Sequence, residues 1–131
     1  MATAPVYASI PLAPIVSALT TANTNLDGTG TLVEIAAGTT DGIIIERATV
    51  RASGSTTSGL IRFFISIDGG TTKRLWHSVS VDARTPSATA SSWVAVVDFL
   101  RGASLKDANT KVYACPTKSE TFNVVVERAG L

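Results

Sequence analysis

Short apolar runs that alternate with polar residues recur along this chain, and they constrain its fold more than any other feature. The runs come at roughly ten-residue spacing, with Gly, Ser, Thr and Asp between them. Alternation at every second position is typical of half-buried β-strands, and no window of helical length shows the helical period. The sequence therefore predicts an all-β fold, an antiparallel β-sandwich of the jelly-roll type with about eight strands.

The first 25 residues differ in composition from the rest of the chain. Asp27 is the first charged residue, and three prolines interrupt the apolar stretch before it. Such proline spacing disfavours a helix and favours an extended path. Residues 1–25 are therefore predicted to form an extended apolar arm, followed by the sandwich domain at 26–131. The arm either supplies a strand to its own domain or packs on a neighbouring subunit. Without a basic leader or an unbroken apolar run, it is not predicted to be a signal peptide or a membrane span.

Residues 61–81 are predicted to form a β-hairpin around Asp68-Gly69-Gly70. An odd loop of about three or five residues would gather the aliphatic side chains, with a structural His77, on the core face. That register leaves Phe64 and Trp76 together on the outer face. Exposed aromatic side chains are frequent anchors of protein contacts. We therefore expect an interface formed by residues of the hairpin and the arm: Phe64, Trp76, Arg62, Arg74, Val6, Tyr7, Ile10 and Leu12.

Two further segments carry specific expectations. In the run IIIERATVRAS, Glu46 falls in phase with the apolar residues, so a β-bulge near Ile45 is expected to redirect its carboxylate. The runs KVYAC and TFNVVVERA are predicted to form the last hairpin around PTKSE.

Few residues offer chemistry. The chain has one cysteine, Cys115, and one histidine, and both lie in predicted strands. The stretch NLDGTG resembles a fragment of a calcium loop, but a turn is the preferred interpretation. No phosphate-binding glycine loop, metal-ligand cluster or cofactor motif is evident in the sequence, so we expect neither an enzyme nor a cofactor. A net charge of +1 without a basic stripe disfavours nucleic acid and anionic membranes as partners.

The run IERATVRASGSTTSGLIRFFISIDGGTTKRLW resembles small β-rich virion proteins of tailed bacteriophages, several of which are capsid decoration (cement) proteins. The similar part consists of a strand, the TTSG loop, a second strand, the DGGTT turn and RLW. The resemblance implies a jelly-roll or sandwich subunit, commonly a homotrimer, on the outside of a capsid lattice. It implies the major capsid protein as partner and assembly in the host cytoplasm. The resemblance transfers no individual functional residue.

Two alternative functions remain open. A receptor- or carbohydrate-binding jelly-roll module of a phage tail or fibre could stack sugar rings on Trp76, Trp93 and Tyr113. Sugar sites also use converging Asp, Asn and Gln side chains, and the chain has no Gln and few Asn, which favours the structural role. A small β-sandwich hydrolase would need carboxylates that are distant in sequence to meet in the fold.

Overall fold

A computed structural model describes residues 10–131, which form two antiparallel sheets of six and four strands. A 3-10 helix, Asp98–Leu100, follows the seventh strand. The strands in chain order are β1 (Ile10–Pro11), β2 (Ile15–Leu19), β3 (Val33–Ala37), β4 (Ile43–Ala52), β5 (Gly59–Ser66), β6 (Arg74–Val81), β7 (Val94–Val96), β8 (Ser104–Leu105), β9 (Lys111–Pro116) and β10 (Phe122–Gly130).

The topology confirms the predicted jelly-roll sandwich. Apart from the two-residue strands β1 and β8, the sheets have the orders β2-β10-β4-β7 and β3-β9-β5-β6. Within the described chain, β5 and β6 form a hairpin, and the other connections between these strands cross from one sheet to the other. This alternation between two four-stranded layers defines the jelly roll. The two short strands extend the first sheet, so β1 shares an edge of β10 with β2, and β8 shares an edge of β4 with β7.

The core lies between the two sheets because alternate residues of each strand point inward. Fully buried side chains come from both layers and include Phe63 and Ile61 of the four-stranded sheet. Trp93 packs edge-on against Phe122, with ring centroids 5.8 Å apart, and belongs to the same core. The inward-facing residues of the predicted last hairpin are buried as expected, but the hairpin itself is wrong. β9 and β10 lie in different sheets and face each other across the core.

The expected bulge in β4 is present. Arg47 pairs with Glu127 and Ile45 pairs with Arg128, which leaves Glu46 as the extra residue. The bulge turns the Glu46 side chain to the exposed surface while Ile45 remains fully buried. The chain thereby avoids the free-energy cost of burying an unpaired carboxylate.

The described part of the arm packs on its own domain. In the register with β10, Ile10 pairs with Gly130 and Val16 pairs with Val125. Leu19, the last residue of β2, is fully buried in the main core. β2 lies within the predicted arm, before the predicted boundary at residue 26, and is an integral strand of the six-stranded sheet. Residues 1–9 lie outside the described residues.

Residues 20–32 form a segment, called here the cover loop, that lies over the outer face of the four-stranded sheet. Its anchor is Asn23, whose backbone N–H donates to the carbonyl oxygen of Pro116 at 2.9 Å. The Asn23 side-chain amide donates to the carbonyl oxygens of Thr29 and Thr31 at 2.9 and 3.0 Å. These hydrogen bonds hold the cover loop in one conformation against the outer face of the sheet.

Candidate interaction surfaces

Phe64 does not form the exposed surface that the sequence predicted. Its ring lies on the outer face of the four-stranded sheet, as expected, but is fully buried there. It packs with Tyr113 and Cys115, and Leu32 of the cover loop closes over this group. Phe64 is therefore covered by residues of its own chain and is not available for contact with another subunit.

A β-bulge separates Phe64 from Trp76, the second predicted anchor. Phe63 pairs with His77 and Phe64 pairs with Leu75, so Trp76 is an extra residue on β6. The predicted register assumed uninterrupted alternation, and the bulge breaks it. The two aromatic rings consequently do not lie together on one face.

Trp76 instead joins an aromatic group around Phe99, which lies in the 3-10 helix after β7. The Trp76 and Phe99 ring centroids are 5.4 Å apart in an edge-to-face arrangement. His77 stacks on Phe99 with centroids 4.2 Å apart, and Phe63 approaches it from the core at 5.0 Å. His77 therefore faces the core side as predicted, but it is exposed at the sheet margin. Trp76 keeps 36% of its surface exposed and remains a candidate contact residue.

The other predicted interface residues are scattered. Arg62 donates a hydrogen bond to the carbonyl oxygen of Thr24 at 2.9 Å and so holds the cover loop. Arg74 is exposed at the start of β6. Ile10 is half-exposed on β1, whereas Leu12 packs against the main core. Val6 and Tyr7 fall outside the described residues.

An exposed surface that sequence reasoning missed lies on the outer face of the six-stranded sheet. Val16, Val125, Thr49 and Val96 are neighbours in register across β2, β10, β4 and β7 and form what we call the valine row. Val16 is 68% exposed and Val96 is 48% exposed. The sequence contains these outward-facing valines in separate strands, but only the order of the strands in the sheet shows that they are neighbours.

Charged residues border one side of the valine row. A depression of about 490 Å³ beside Val96 is lined by residues of β4, β10 and the segment after β7: Glu46, Arg47, Val96, Val97, Asp98, Arg101 and Glu127. On the other side of the row, Arg51 pairs with Val94 and Asn123. The sheet face thus has an apolar centre and a polar margin, the distribution found in protein interfaces.

The single cysteine is a structural residue in this geometry. Burial raises the pKa of the Cys115 thiol above its ordinary value, and the charge of Arg62 lowers it by a smaller amount. A thiol with a raised pKa is mostly protonated near neutral pH and is a poor nucleophile. His77 pairs with Phe63 on the opposite face of the sheet, so the two groups are not brought together.

The NLDGTG stretch forms the predicted turn. Asp27 accepts the backbone N–H of Thr29 at 3.1 Å, and its pKa is lowered by the Thr29 hydroxyl and backbone N–H. Asn23 and Asn25 precede Asp27 at alternate positions, so this loop has more oxygen-bearing side chains than the NLDGTG stretch alone contains. The Asn23 side-chain amide, however, is hydrogen-bonded inside the loop to the carbonyl oxygens of Thr29 and Thr31. Among residues 10–131, no group of three or more His, Cys, Asp or Glu side chains is placed to hold a metal ion.

The chain was compared with known protein families, curated proteins and solved structures. No family model, no curated protein and no solved structure matches it. In the part of the chain that the structure describes, no helix is long and apolar enough to cross a membrane.

Proposed function

We propose that this chain is a structural virion protein that binds the outside of a phage capsid lattice and reinforces contacts between capsomers. The observation that carries the proposal is the valine row, in which three valines and one threonine cross four strands of the outer sheet face. Contiguous exposed apolar surface in a folded domain is typical of a protein-contact site.

The shape of this surface supports a structural role. A sheet face is broad and open, and the valine row crosses it between two polar margins. Such a face suits a flat protein lattice better than it suits a small ligand, which needs a concave pocket. The row gathers β-branched side chains with little rotamer freedom to lose, so ordering them on binding costs little entropy.

The resemblance to phage decoration proteins supplies the partner. It points to the major capsid protein and to a homotrimer on the capsid exterior. We propose that the valine row faces the capsid protein or a sister subunit, and that Trp76 contributes at the margin of the four-stranded sheet. If Trp76 is a central anchor of such a contact, its truncation to alanine weakens assembly by about 2 kcal/mol or more.

Cryo-electron microscopy of purified particles that contain the protein tests the proposal directly. Density for the jelly roll is expected on the capsid exterior, with the valine row in contact with protein. A matched pair of variants adds a binding test. Val96→Asp places a charge in the row, whereas Leu26→Asp places one on the cover loop, where Leu26 is 56% exposed.

Both substituted positions are solvent-exposed, so both variants are expected to fold. Val96→Asp should be lost from particles, and Leu26→Asp should be retained. Location of the protein in the tail, or retention of both variants, would reject the proposal.

The alternative function, a carbohydrate- or receptor-binding module, now depends on Trp76. Of the three aromatic residues that the sequence offered for sugar stacking, Trp93 and Tyr113 are buried. A glycan array separates this alternative from the capsid role, because specific glycan binding that is lost in Trp76→Ala would favour the module.

A further inference from the structure

Among the described residues, β6 is the longest strand with an unpaired edge. It has eight residues, contains no proline and pairs with β5 alone. The other sheet edges are blunted. Pro11 and Pro14 interrupt the edge formed by β1 and β2, and β7 and β8 have three and two residues. β3 has five residues and lies beside β2, where the hydroxyl of Ser17 donates to the carbonyl oxygen of Glu34 at 3.4 Å. Proline and short length are devices that keep edges from pairing, and β6 lacks both.

The backbone groups of β6 that face away from β5 can be identified from the neighbouring strand. The carbonyl oxygen of Leu60 accepts the backbone N–H of Thr117 at 2.9 Å, and the N–H of Leu60 donates to the Thr117 hydroxyl at 3.0 Å. Leu60 therefore directs its backbone groups away from β6. Its partner in register is Ser80, which consequently directs its own N–H and carbonyl to the open edge. Ser78, two residues earlier, does the same.

His77 covers one of these two positions. Its Nδ1 atom accepts the backbone N–H of Ser78 at 2.9 Å, and its ring is held by stacking on Phe99. Ser80 has no comparable side-chain cap within residues 10–131. An uncapped N–H and carbonyl on an edge strand are the groups that an added strand binds.

We infer that the open edge of β6 pairs antiparallel with β6 of a second copy of this chain, across a two-fold axis at Val79. In this register Ser78 lies opposite Ser80 of the second copy, and the same pair recurs on the other side of the axis. Both residues of each pair direct their backbone groups to the open edge, so the Ser80 N–H can donate to the Ser78 carbonyl oxygen of the second copy. The Ser78 N–H completes the pair only when it leaves His77 Nδ1. The two four-stranded sheets become one continuous sheet.

A second copy fits this edge because the strand is compatible with itself. The segment from Leu75 to Val81 contains no Asp, Glu, Lys or Arg, so antiparallel self-pairing places no like charges opposite each other. Small serine side chains meet on the outer face. Leu75, which is 45% exposed, flanks the pairing segment and loses exposure on association. This contact is independent of the capsid role, because it concerns the isolated protein.

Sedimentation equilibrium on three proteins tests the inference. Ser80→Pro removes the outward N–H without removing a bond to β5, and Ser80→Ala keeps that N–H as the matched control. The wild-type protein and Ser80→Ala are expected to form dimers with the same dissociation constant. Ser80→Pro is expected to raise that constant about tenfold or more. His77→Ala, which uncovers Ser78, is expected to lower it.

Hydrogen exchange of the wild-type protein gives a second readout that needs no variant. The Ser80 amide is expected to gain protection as protein concentration rises, whereas the amides of the valine row are not. A wild-type monomer at about millimolar concentration, above the range of most specific complexes, would overturn the inference. So would a dimer in which Ser80 exchanges freely, or a folded Ser80→Pro protein that dimerises like the wild type. None of these outcomes bears on whether the chain binds capsids.

Discussion

Replacing Phe64 with alanine tests whether the outer face of the four-stranded sheet is closed by the chain itself. The Phe64 side chain has no exposed surface and packs with Tyr113, Cys115 and Leu32. Burying a side chain of this size contributes about 1.5–3 kcal/mol by transfer alone. The unfilled cavity adds to that, so Phe→Ala substitutions in cores cost about 3–5 kcal/mol. Because the cover loop can settle partly into the space, we expect about 3 kcal/mol for Phe64→Ala.

Urea unfolding of the wild-type protein and two variants measures this difference. Trp76→Ala is the control, because Trp76 is partly exposed and loses mainly its edge-to-face contact with Phe99. We expect that variant to lose about 1 kcal/mol. A thiol reagent supplies an independent readout, since Phe64→Ala should make the buried Cys115 react faster. If Phe64→Ala lost less than about 1 kcal/mol and left Cys115 protected, Phe64 would not be buried beneath the loop.

Three further perturbations follow from individual contacts. Asn23→Ala removes an amide that holds the cover loop by two donated bonds, and should lower the free energy of unfolding by about 2–3 kcal/mol while speeding Cys115 labelling; an unchanged urea midpoint would contradict the anchoring role. Gly70→Ala should destabilise the protein by about 1–3 kcal/mol in the same assay, because Gly70 has φ +98° and a Cβ atom there would overlap the Tyr113 hydroxyl; Gly54→Ala, where a Cβ meets open space, is the control. The backbone N–H of Thr72 and the hydroxyl of Ser66 lower the pKa of Asp68, so the stability that this carboxylate adds is present above its unfolded pKa of about 4 and is lost as the pH falls through its lower folded pKa. Asp68→Asn should therefore show a flatter loss of urea midpoint between about pH 5 and pH 2, and an unchanged slope would count against the assignment.

The candidate surface could be predicted only in part, and β6 shows why. The sequence of residues 61–81 indicates a hairpin, and the structure has one, with an extended loop at 67–73. Assigning faces along β6 required uninterrupted alternation. The bulge at Trp76 adds one residue to the strand, so Leu75 lies beside Phe64 on the outer face and not on the predicted core face. Val79 and Val81, on the other side of the bulge, keep the predicted core face. A bulge depends on how two strands fit together in three dimensions, and no local residue pattern in β6 predicts this one. The bulge at Glu46 was predictable because a charged residue stood in phase with the apolar set.

Sequence by itself determined the fold class, because period-two alternation and closely spaced turns are compatible with few architectures other than a β-sandwich. It also indicated the core face of uninterrupted strands, as for Ile61 and Phe63 of β5, because that face follows from strand periodicity. Ile67 and Leu75 were placed on the same core face but are 78% and 45% exposed. Tertiary structure decided which outward side chains remain exposed. Phe64 is covered by a loop more than thirty residues earlier in the chain, and Val16 and Val96 meet in one row although eighty residues separate them. The physical reason is that exposure and alignment on a sheet depend on strand order and on long-range packing. Both are set by the free energy of the whole fold, and neither is encoded in the local pattern of any one strand.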